Sequence, residues 1–245
     1  MSRGVLVTGA SRGIGRAIAT AFAEQGDRVA VHYSSRREEA ERTLAGLPGD
    51  GHVLIGGDIS DADRAAEVVD AAITALQTVE VLVNNAAVNL PHPVPTTDYP
   101  QWQQVWRQTV DVNLLGTANV SYRAARHMID RGIPGRIVNI GSRGAFRGEP
   151  DHPAYGATKA AVQALGQSLA ISLAPHGIAV ASVAPGFVAT ERVADRVTDA
   201  VRSQSPFGRV AEPKEIAAAV LYLASPEATW SSGAVLDVNG ASYLR

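Results

Sequence analysis

The sequence predicts an α/β fold, a doubly wound parallel sheet of seven strands with helices on both faces. Three observations point there. Short β-branched runs alternate with longer alanine-rich runs along the whole chain. The strand candidates read as unbroken apolar blocks (VLV, VAV, VLV, RIVNI), the pattern of strands covered on both faces. The first strand also runs into a glycine-rich turn that opens a helix. Strict β–α alternation with right-handed crossovers winds such elements into one open sheet.

Strands are expected at Gly4–Thr8, Arg28–Tyr33, His52–Gly56, Val79–Val83, Arg136–Gly141, Ile178–Ala184 and Val235–Val238. Helices are expected at 13–25, 36–46, 61–76, 101–131, 153–175 and 212–224. No linker or short-period repeat interrupts the pattern, so residues 1–245 are expected to form one domain. Three irregular stretches stand out: 89–100 with four prolines, 143–153 with two glycines and two prolines, and 186–211. They follow strands four, five and six, and ligands of open α/β sheets sit beyond those carboxyl ends. These are the expected substrate loops.

Composition removes many chemistries. The chain of 245 residues has no cysteine, which excludes disulfides, thiolate metal sites and cysteine nucleophiles. The six histidines show no metal-ligand spacing, so no metal is expected. A net charge of −2 without basic clusters speaks against nucleic-acid or anionic-membrane partners. No run reaches the ~20 apolar residues of a membrane span. The first residues lack the apolar core of a signal peptide, so a cytoplasmic protein is expected. Positive charge is written almost wholly as arginine: only Lys159 and Lys214 are lysines among 22 basic residues.

The first turn reads Thr8-Gly9-Ala10-Ser11-Arg12-Gly13-Ile14-Gly15. Glycines there allow a tight turn and bring the backbone close to a pyrophosphate at the helix N-terminus. The spacing is GxxxGxG rather than GxGxxG, and a glycine trio alone can be a plain turn. Its place after the first strand of an alternating fold marks a dinucleotide site. Enzymes that take NAD in this fold place an acid about 20 residues on, where it binds the ribose 2′-hydroxyl. Here that region reads Tyr33-Ser34-Ser35-Arg36-Arg37, with the first acid at Glu38. Hydroxyls and guanidiniums, with Arg12 in the turn, suit a 2′-phosphate, so NADP(H) is favoured and NAD(H) remains possible. The arginine pair also reads as a solvated helix start.

Tyr155-Gly-Ala-Thr-Lys159 opens the fifth long helix, and residues i and i+4 share a face. A tyrosine is a poor base near neutral pH, and a nearby ammonium favours its phenolate. Ser142, at the end of the fifth strand, offers a hydroxyl to a carbonyl, and Asn113 lies in the preceding long helix. Tyr-xxx-Lys alone is a common surface pair; the upstream glycine turn and strand-end serine give it meaning.

Taken together these residues resemble the short-chain dehydrogenase/reductase superfamily, in its short single-domain Rossmann branch, over essentially the whole chain. The resemblance rests on Thr8–Gly15, Asp58, Asn84-Asn85-Ala86-Ala87, Asn113, Ser142, Tyr155, Lys159, and Pro185-Gly186 with Thr190. It implies an oxidoreductase passing hydride between nicotinamide and a carbonyl or secondary alcohol. In it Tyr155 would be general acid in reduction and base in oxidation, and Ser142 would hold the carbonyl. Lys159 would bind the nicotinamide ribose and lower the tyrosine pKa, and Asn113 would hold a water of the proton relay. Cofactor contacts would come from Gly9, Ser11, Arg12, Gly13, Ile14, Gly15, Asp58 and Ile59 at the adenine, Asn85 with Ala86 and Ala87, Pro185, Gly186, and Val188 with Thr190 at the carboxamide. Two departures are visible: Ala87 stands where the family has glycine, and Ala241 follows Gly240 in a region that often builds the subunit interface. A homotetramer, or a dimer, is implied, with the helices at 101–131 and 153–175 pairing across one interface.

The substrate side is open. Arg143, Ala145, Phe146, Arg147, Glu149, His152, Phe187 and Arg192 are candidates; Arg147 and Arg192 could hold an anion or be solvated. The chain is similar to 3-oxoacyl-carrier-protein reductases and to broad-specificity ketone or sugar reductases. Alternatives are an NAD-preferring alcohol or sugar dehydrogenase, and a catalytically silent nucleotide-binding regulator, which would be expected to lose Tyr155 or Lys159. A longer sugar-nucleotide epimerase is disfavoured because the stretch after Ala211 holds only a helix and a strand.

Overall fold

A computed structural model describes residues 2–191 and 197–245. All seven expected strands form, within two residues of the predicted starts: β1 Gly4–Val7, β2 Arg28–Tyr33, β3 Val53–Gly56, β4 Val81–Asn84, β5 Arg136–Ile140, β6 Ala179–Pro185 and β7 Val235–Val238. They pair in parallel in the order β3-β2-β1-β4-β5-β6-β7. The order reverses between β1 and β4, and that switch point puts the β1 turn and the loop after β4 side by side.

The apolar strand blocks bury both faces. Val5 and Val7 face a core completed by Ile18 and Phe22 of α1 (Gly13–Glu24) and Ile216 and Val220 of α9 (Pro213–Leu223). Leu6 and Leu82 face the other core, with Val69 and Leu76 of α3 (Ala62–Leu76) and Met128 of α5 (Thr117–Asp130). Alternate residues of one strand therefore serve opposite layers. α2 (Arg37–Ala45) follows β2. Short helices α6 (Gly144–Arg147) and α8 (Asp199–Arg202) lie within two of the expected substrate loops.

The expected helix at 101–131 differs from expectation. It starts two residues earlier, as α4 (Tyr99–Val110), capped by the Asp98 carboxylate accepting the Gln101 N–H. It then widens into a π-helical segment at Asp111–Gly116 before continuing as α5. Periodicity cannot reveal one inserted residue, and such bulges gather at functional sites. Gly116 lies so close to the loop after β3 that a Cβ would stand 2.7 Å from the Ile59 carbonyl oxygen. α7 (Pro153–Leu173) starts with proline at its first turn, where the missing N–H is no loss.

Among the described residues, two non-glycines hold left-handed backbone: Gln77 (φ 67°), which ends α3, and Ala241 (φ 56°). A Cβ makes that conformation costly, and glycine relieves it at some entropic expense. Gln77→Gly and Ala241→Gly are each expected to stabilise the fold by about 0.5–1 kcal/mol, seen as a rise of a few degrees in Tm. A fall in Tm for either would contradict the strain.

Candidate active site

The turn between β1 and α1 is held from two sides. On one side Thr8 Oγ1 accepts the Asn85 N–H at 2.9 Å and the Ala86 N–H at 3.1 Å. The Asn85 side-chain amide donates to the Thr8 and Gly9 carbonyls, both at 2.9 Å. The approach is close enough that a Cβ on Gly15 would overlap the Gly9 carbonyl, and one on Gly9 (φ +64°) would lie 2.8 Å from Ala86 Cα. Both glycines are thus required by packing as well as by the turn.

On the other side stands His32, in β2, which the sequence reading left without a task. The Gly9 N–H donates to its Nδ1 at 3.1 Å, so the proton sits on Nε2 and is donated to the Gly57 carbonyl at 3.0 Å. Burial pushes this imidazole down to about 4, against smaller opposing effects of Gly57 and Asp58. It is a neutral strut joining the glycine turn to the end of β3. A polar residue among the apolar residues of a strand interior was the available signal.

α1 begins at Arg12 with no side-chain cap and no acid in its first turn, leaving open N–H donors. Around the predicted ribose position, Ser34, Ser35 and Arg36 are exposed, and the Tyr33 ring folds over Gly56 of β3. Arg36 Nη1 lies 2.7 Å from Glu39 Oε1 and Arg12 Nε 3.7 Å from Glu39 Oε2. Arg37 pairs with Glu41 at 2.8 Å. The Arg36 hydrogen bond, above all, holds the Glu39 carboxyl below its ordinary value. Glu39 and Glu41, beyond the first acid, were not weighed from sequence. Asp58 is exposed and accepts the Ser60 N–H at 3.0 Å; Ile59 is buried, its side chain in the core and its carbonyl against Gly116.

Beyond β5 and β6 the remaining candidates gather. Lys159 is 4% exposed, donates from Nζ to the Ile140 carbonyl at 2.6 Å, and stands 5.7 Å from the centre of the Tyr155 ring. Ser142 follows Ile140 by two residues, and its Oγ accepts the Gly144 N–H at 3.0 Å. Asn113, 1% exposed, points inward from the π segment. Its Oδ1 accepts the Val88 N–H at 2.8 Å, and its Nδ2 donates to the Val88 carbonyl at 3.0 Å and Thr158 Oγ1 at 3.2 Å. It therefore ties the loop carrying Ala86 and Ala87 to the helix turn between Tyr155 and Lys159. Thr158 was not singled out from sequence.

The segment after β6 returns over the glycine turn. Val188 is in the core and bridges Ala211, while Thr190 sits beside Gly13 and Glu191 pairs with Arg16 at 3.2 Å. The Pro185 carbonyl accepts the Arg143 N–H at 3.0 Å, and the Gly186 N–H donates to Val238. Arg143 is buried, stacks 5.3 Å from the Phe187 ring centre, and donates to Ser242 Oγ and Gln204 Oε1, both at 2.5 Å. Burial, and then Arg147, push its pKa down. These residues border a cavity of about 160 Å³. Arg147 also reaches Gln204, at 3.2 Å, and Phe146 lies 4.1 Å under the Arg245 guanidinium. His152 caps α7 by its backbone and is buried. Arg192 lies outside the described residues.

A second histidine anchors the loop after β4. The His92 ring packs at a tilt against Trp102, centroids 5.4 Å apart; it accepts the Ala154 N–H on Nε2 at 3.1 Å and donates from Nδ1 to the Leu90 carbonyl at 2.8 Å. Ala154 immediately precedes Tyr155, so the loop and the tyrosine's helix are joined there. Among the described residues no group of three His, Asp or Glu is placed to hold a metal, and no helix is long and apolar enough to cross a membrane.

Similarity to other proteins runs along nearly the whole chain. The family model described as Enoyl-(Acyl carrier protein) reductase matches residues 9–241. The chain is 35% identical over 249 residues to the 3-oxoacyl-acyl-carrier-protein reductase of Staphylococcus aureus, covering 100% of this chain and 99% of that protein. It is 36% identical over 250 residues to the L-rhamnose 1-dehydrogenase (NAD(P)(+)) of Azotobacter vinelandii, with 98% and 96% covered. It is 34% identical over 247 residues to the 3beta-hydroxysteroid dehydrogenase 1 of Eggerthella lenta, with 98% and 93% covered.

His32 makes the turn sensitive to acid. Its folded value of about 4 lies below the 6.5 of an exposed imidazole, so the unfolded chain takes up the proton first as pH falls. Its contribution is complete above pH 6.5 and is lost progressively toward pH 4. Between pH 7.5 and 5 this amounts to about 2 kcal/mol of unfolding free energy, measurable by urea titration. In His32→Gln that part of the slope should vanish; an identical pH dependence in the variant would refute the assignment.

Proposed function

Because the chain belongs to the short-chain dehydrogenase/reductase family of oxidoreductases acting on CH–OH and C=O groups, we propose that it is an NADPH-dependent reductase of a ketone or 3-oxoacyl-type substrate. The observation that carries the reading is the gathering of Lys159, Tyr155 and Ser142 beyond β5, at the same carboxyl edge of the sheet as the uncapped N-terminus of α1. The residues fit a dinucleotide: open N–H donors, with no acid in the helix's own first turn, suit a pyrophosphate, and Arg12 with Arg36 suit a ribose 2′-phosphate. The bound nicotinamide would supply or accept the hydride.

In this reading the catalytic residues are Ser142, Tyr155 and Lys159, with Asn113 as their support. The Ser142 hydroxyl, whose oxygen already accepts the Gly144 N–H, turns its proton to the substrate carbonyl and orients it. The Tyr155 hydroxyl gives the carbonyl oxygen its proton in reduction and takes it back in oxidation. Lys159 stabilises the phenolate left behind through its charge, while the Ile140 carbonyl holds the ammonium in place. Asn113 keeps the loop after β4 and α7 in register. Gly9, Ser11, Arg12, Gly13, Ile14 and Gly15 take the phosphates, Tyr33 to Arg36 the 2′-position, Asp58 and Ile59 the adenine. Asn85 to Ala87 line the nicotinamide ribose, and Pro185, Gly186, Val188 and Thr190 line the carboxamide. The chain would act as one domain in the cytoplasm, on a small molecule, as a homotetramer or dimer.

A second reading, an NAD-preferring alcohol or sugar dehydrogenase, has one observation in its favour: Glu39 already occupies Arg12 and Arg36.

Two outcomes test the proposal. Tyr155→Phe should lower kcat at least 100-fold while NADPH affinity by fluorescence titration stays near wild type, since a positioned proton donor is worth about 10²–10⁴. Activity retained within tenfold would remove the tyrosine from the chemistry. Wild type should show higher kcat/KM with NADPH than with NADH across a ketone panel, and Arg12→Ala with Arg36→Ala should erase that difference. A preference for NADH would reverse the cofactor assignment.

A further inference from the structure

Glu39 stands where an external anion is expected. It lies in the first turn of α2, facing Arg12 at the start of α1, and its carboxylate bridges the two helix beginnings. One oxygen accepts from Arg36 at 2.7 Å; the other, Oε2, faces Arg12 Nε at 3.7 Å, is buried, and accepts no hydrogen bond among the described residues. A buried carboxylate oxygen left without a donor is poorly satisfied. The two guanidiniums, by contrast, can each serve two oxygens in a fork. The carboxylate is therefore a partial substitute for an anion with more oxygens and more charge.

We propose that Glu39 is an internal counter-ion that competes with the ribose 2′-phosphate for Arg12 and Arg36, and so sets how strongly the chain distinguishes NADPH from NADH. The inference rests on the reading that these arginines face the 2′-position. An unphosphorylated ribose leaves the Glu39 pairs intact. A 2′-phosphate must either displace the carboxylate or share two guanidiniums with it, and the repulsion weakens binding. Taking away one negative charge from beside a phosphate of charge near −2 held by the same two guanidiniums, in a water-like dielectric, is worth on the order of tenfold in affinity.

The test is a fluorescence titration of the full chain with NADPH and with NADH. It compares wild type, Glu39→Gln, Glu39→Ala, and the Arg12→Ala/Arg36→Ala double variant. Both Glu39 variants should raise the ratio of NADH to NADPH dissociation constants about tenfold, through tighter NADPH binding. A ratio that stays within twofold of wild type, or that moves through NADH alone, overturns the proposal. If the double arginine variant still lowers the ratio in that case, the 2′-phosphate reading stands without Glu39. If it does not, that reading falls and the competition falls with it.

Discussion

The rest of the site depends on one close approach: the backbone of the first glycine turn lying against the residues that leave β4. A parallel sheet that reverses its order between β1 and β4 opens a crevice there, but an open crevice does not hold a loop still. Thr8, Asn85 and Ala86 do so with four hydrogen bonds between the two strand ends. His32 adds a neutral strut from β2 to Gly9 and on to Gly57. The turn is thereby fixed to three strands, and its N–H donors can face a ligand without folding costs at the moment of binding. Glycine at positions 9 and 15 follows from this approach, because any Cβ would strike the neighbouring chain.

The residues proposed for catalysis lie one strand beyond β4 and are held in the same manner, by hydrogen bonds to backbone. Lys159 is anchored to the Ile140 carbonyl and Ser142 follows on the same strand end. Asn113 reaches from the π segment to both the loop after β4 and α7. His92 repeats the arrangement from the outside, linking that loop to the N–H just ahead of Tyr155. The proposed cofactor half and the proposed catalytic half are therefore not independent. The stretch Asn85–Val88 touches the glycine turn at one end and Asn113 at the other.

The number and positions of the strands were legible because buried parallel strands write themselves as apolar blocks, and the Tyr155–Lys159 spacing survives any uncertainty in helix ends. The turn was legible because only glycine permits it. What stayed hidden depends on long-range geometry. A single extra residue at Asp111–Gly116 leaves the helical period almost unchanged, although it is what aims Asn113 at Val88 and Thr158. His32 and His92 read as scattered histidines until the strands and loops that receive their bonds are in place. Glu39 follows a serine–arginine stretch that suggests a phosphate, and no local pattern tells that its carboxylate turns back onto Arg12 and Arg36. The C-terminal residues around Ala241, expected at a subunit surface, also fold against Arg143, next to Ser142. That contact reaches across the carboxyl ends of β5, β6 and β7.

The two lysines in an arginine-rich chain show how placement decides what a charge is worth. Lys214 pairs with Glu212 at 2.7 Å with its side chain 80% exposed, a surface pair that arginine could replace and water screens. Lys159 is buried, and its compact ammonium reaches the Ile140 carbonyl while standing beside the Tyr155 ring. A guanidinium spreads its charge over a plane and needs room for five donors, whereas an ammonium delivers three donors from one atom. In a space bounded by a strand carbonyl, a phenol and a serine two residues along, only the smaller cation can serve several neighbours at once. The scarcity of lysine elsewhere means that the general preference of the chain for arginine gave way here to the shape of the site.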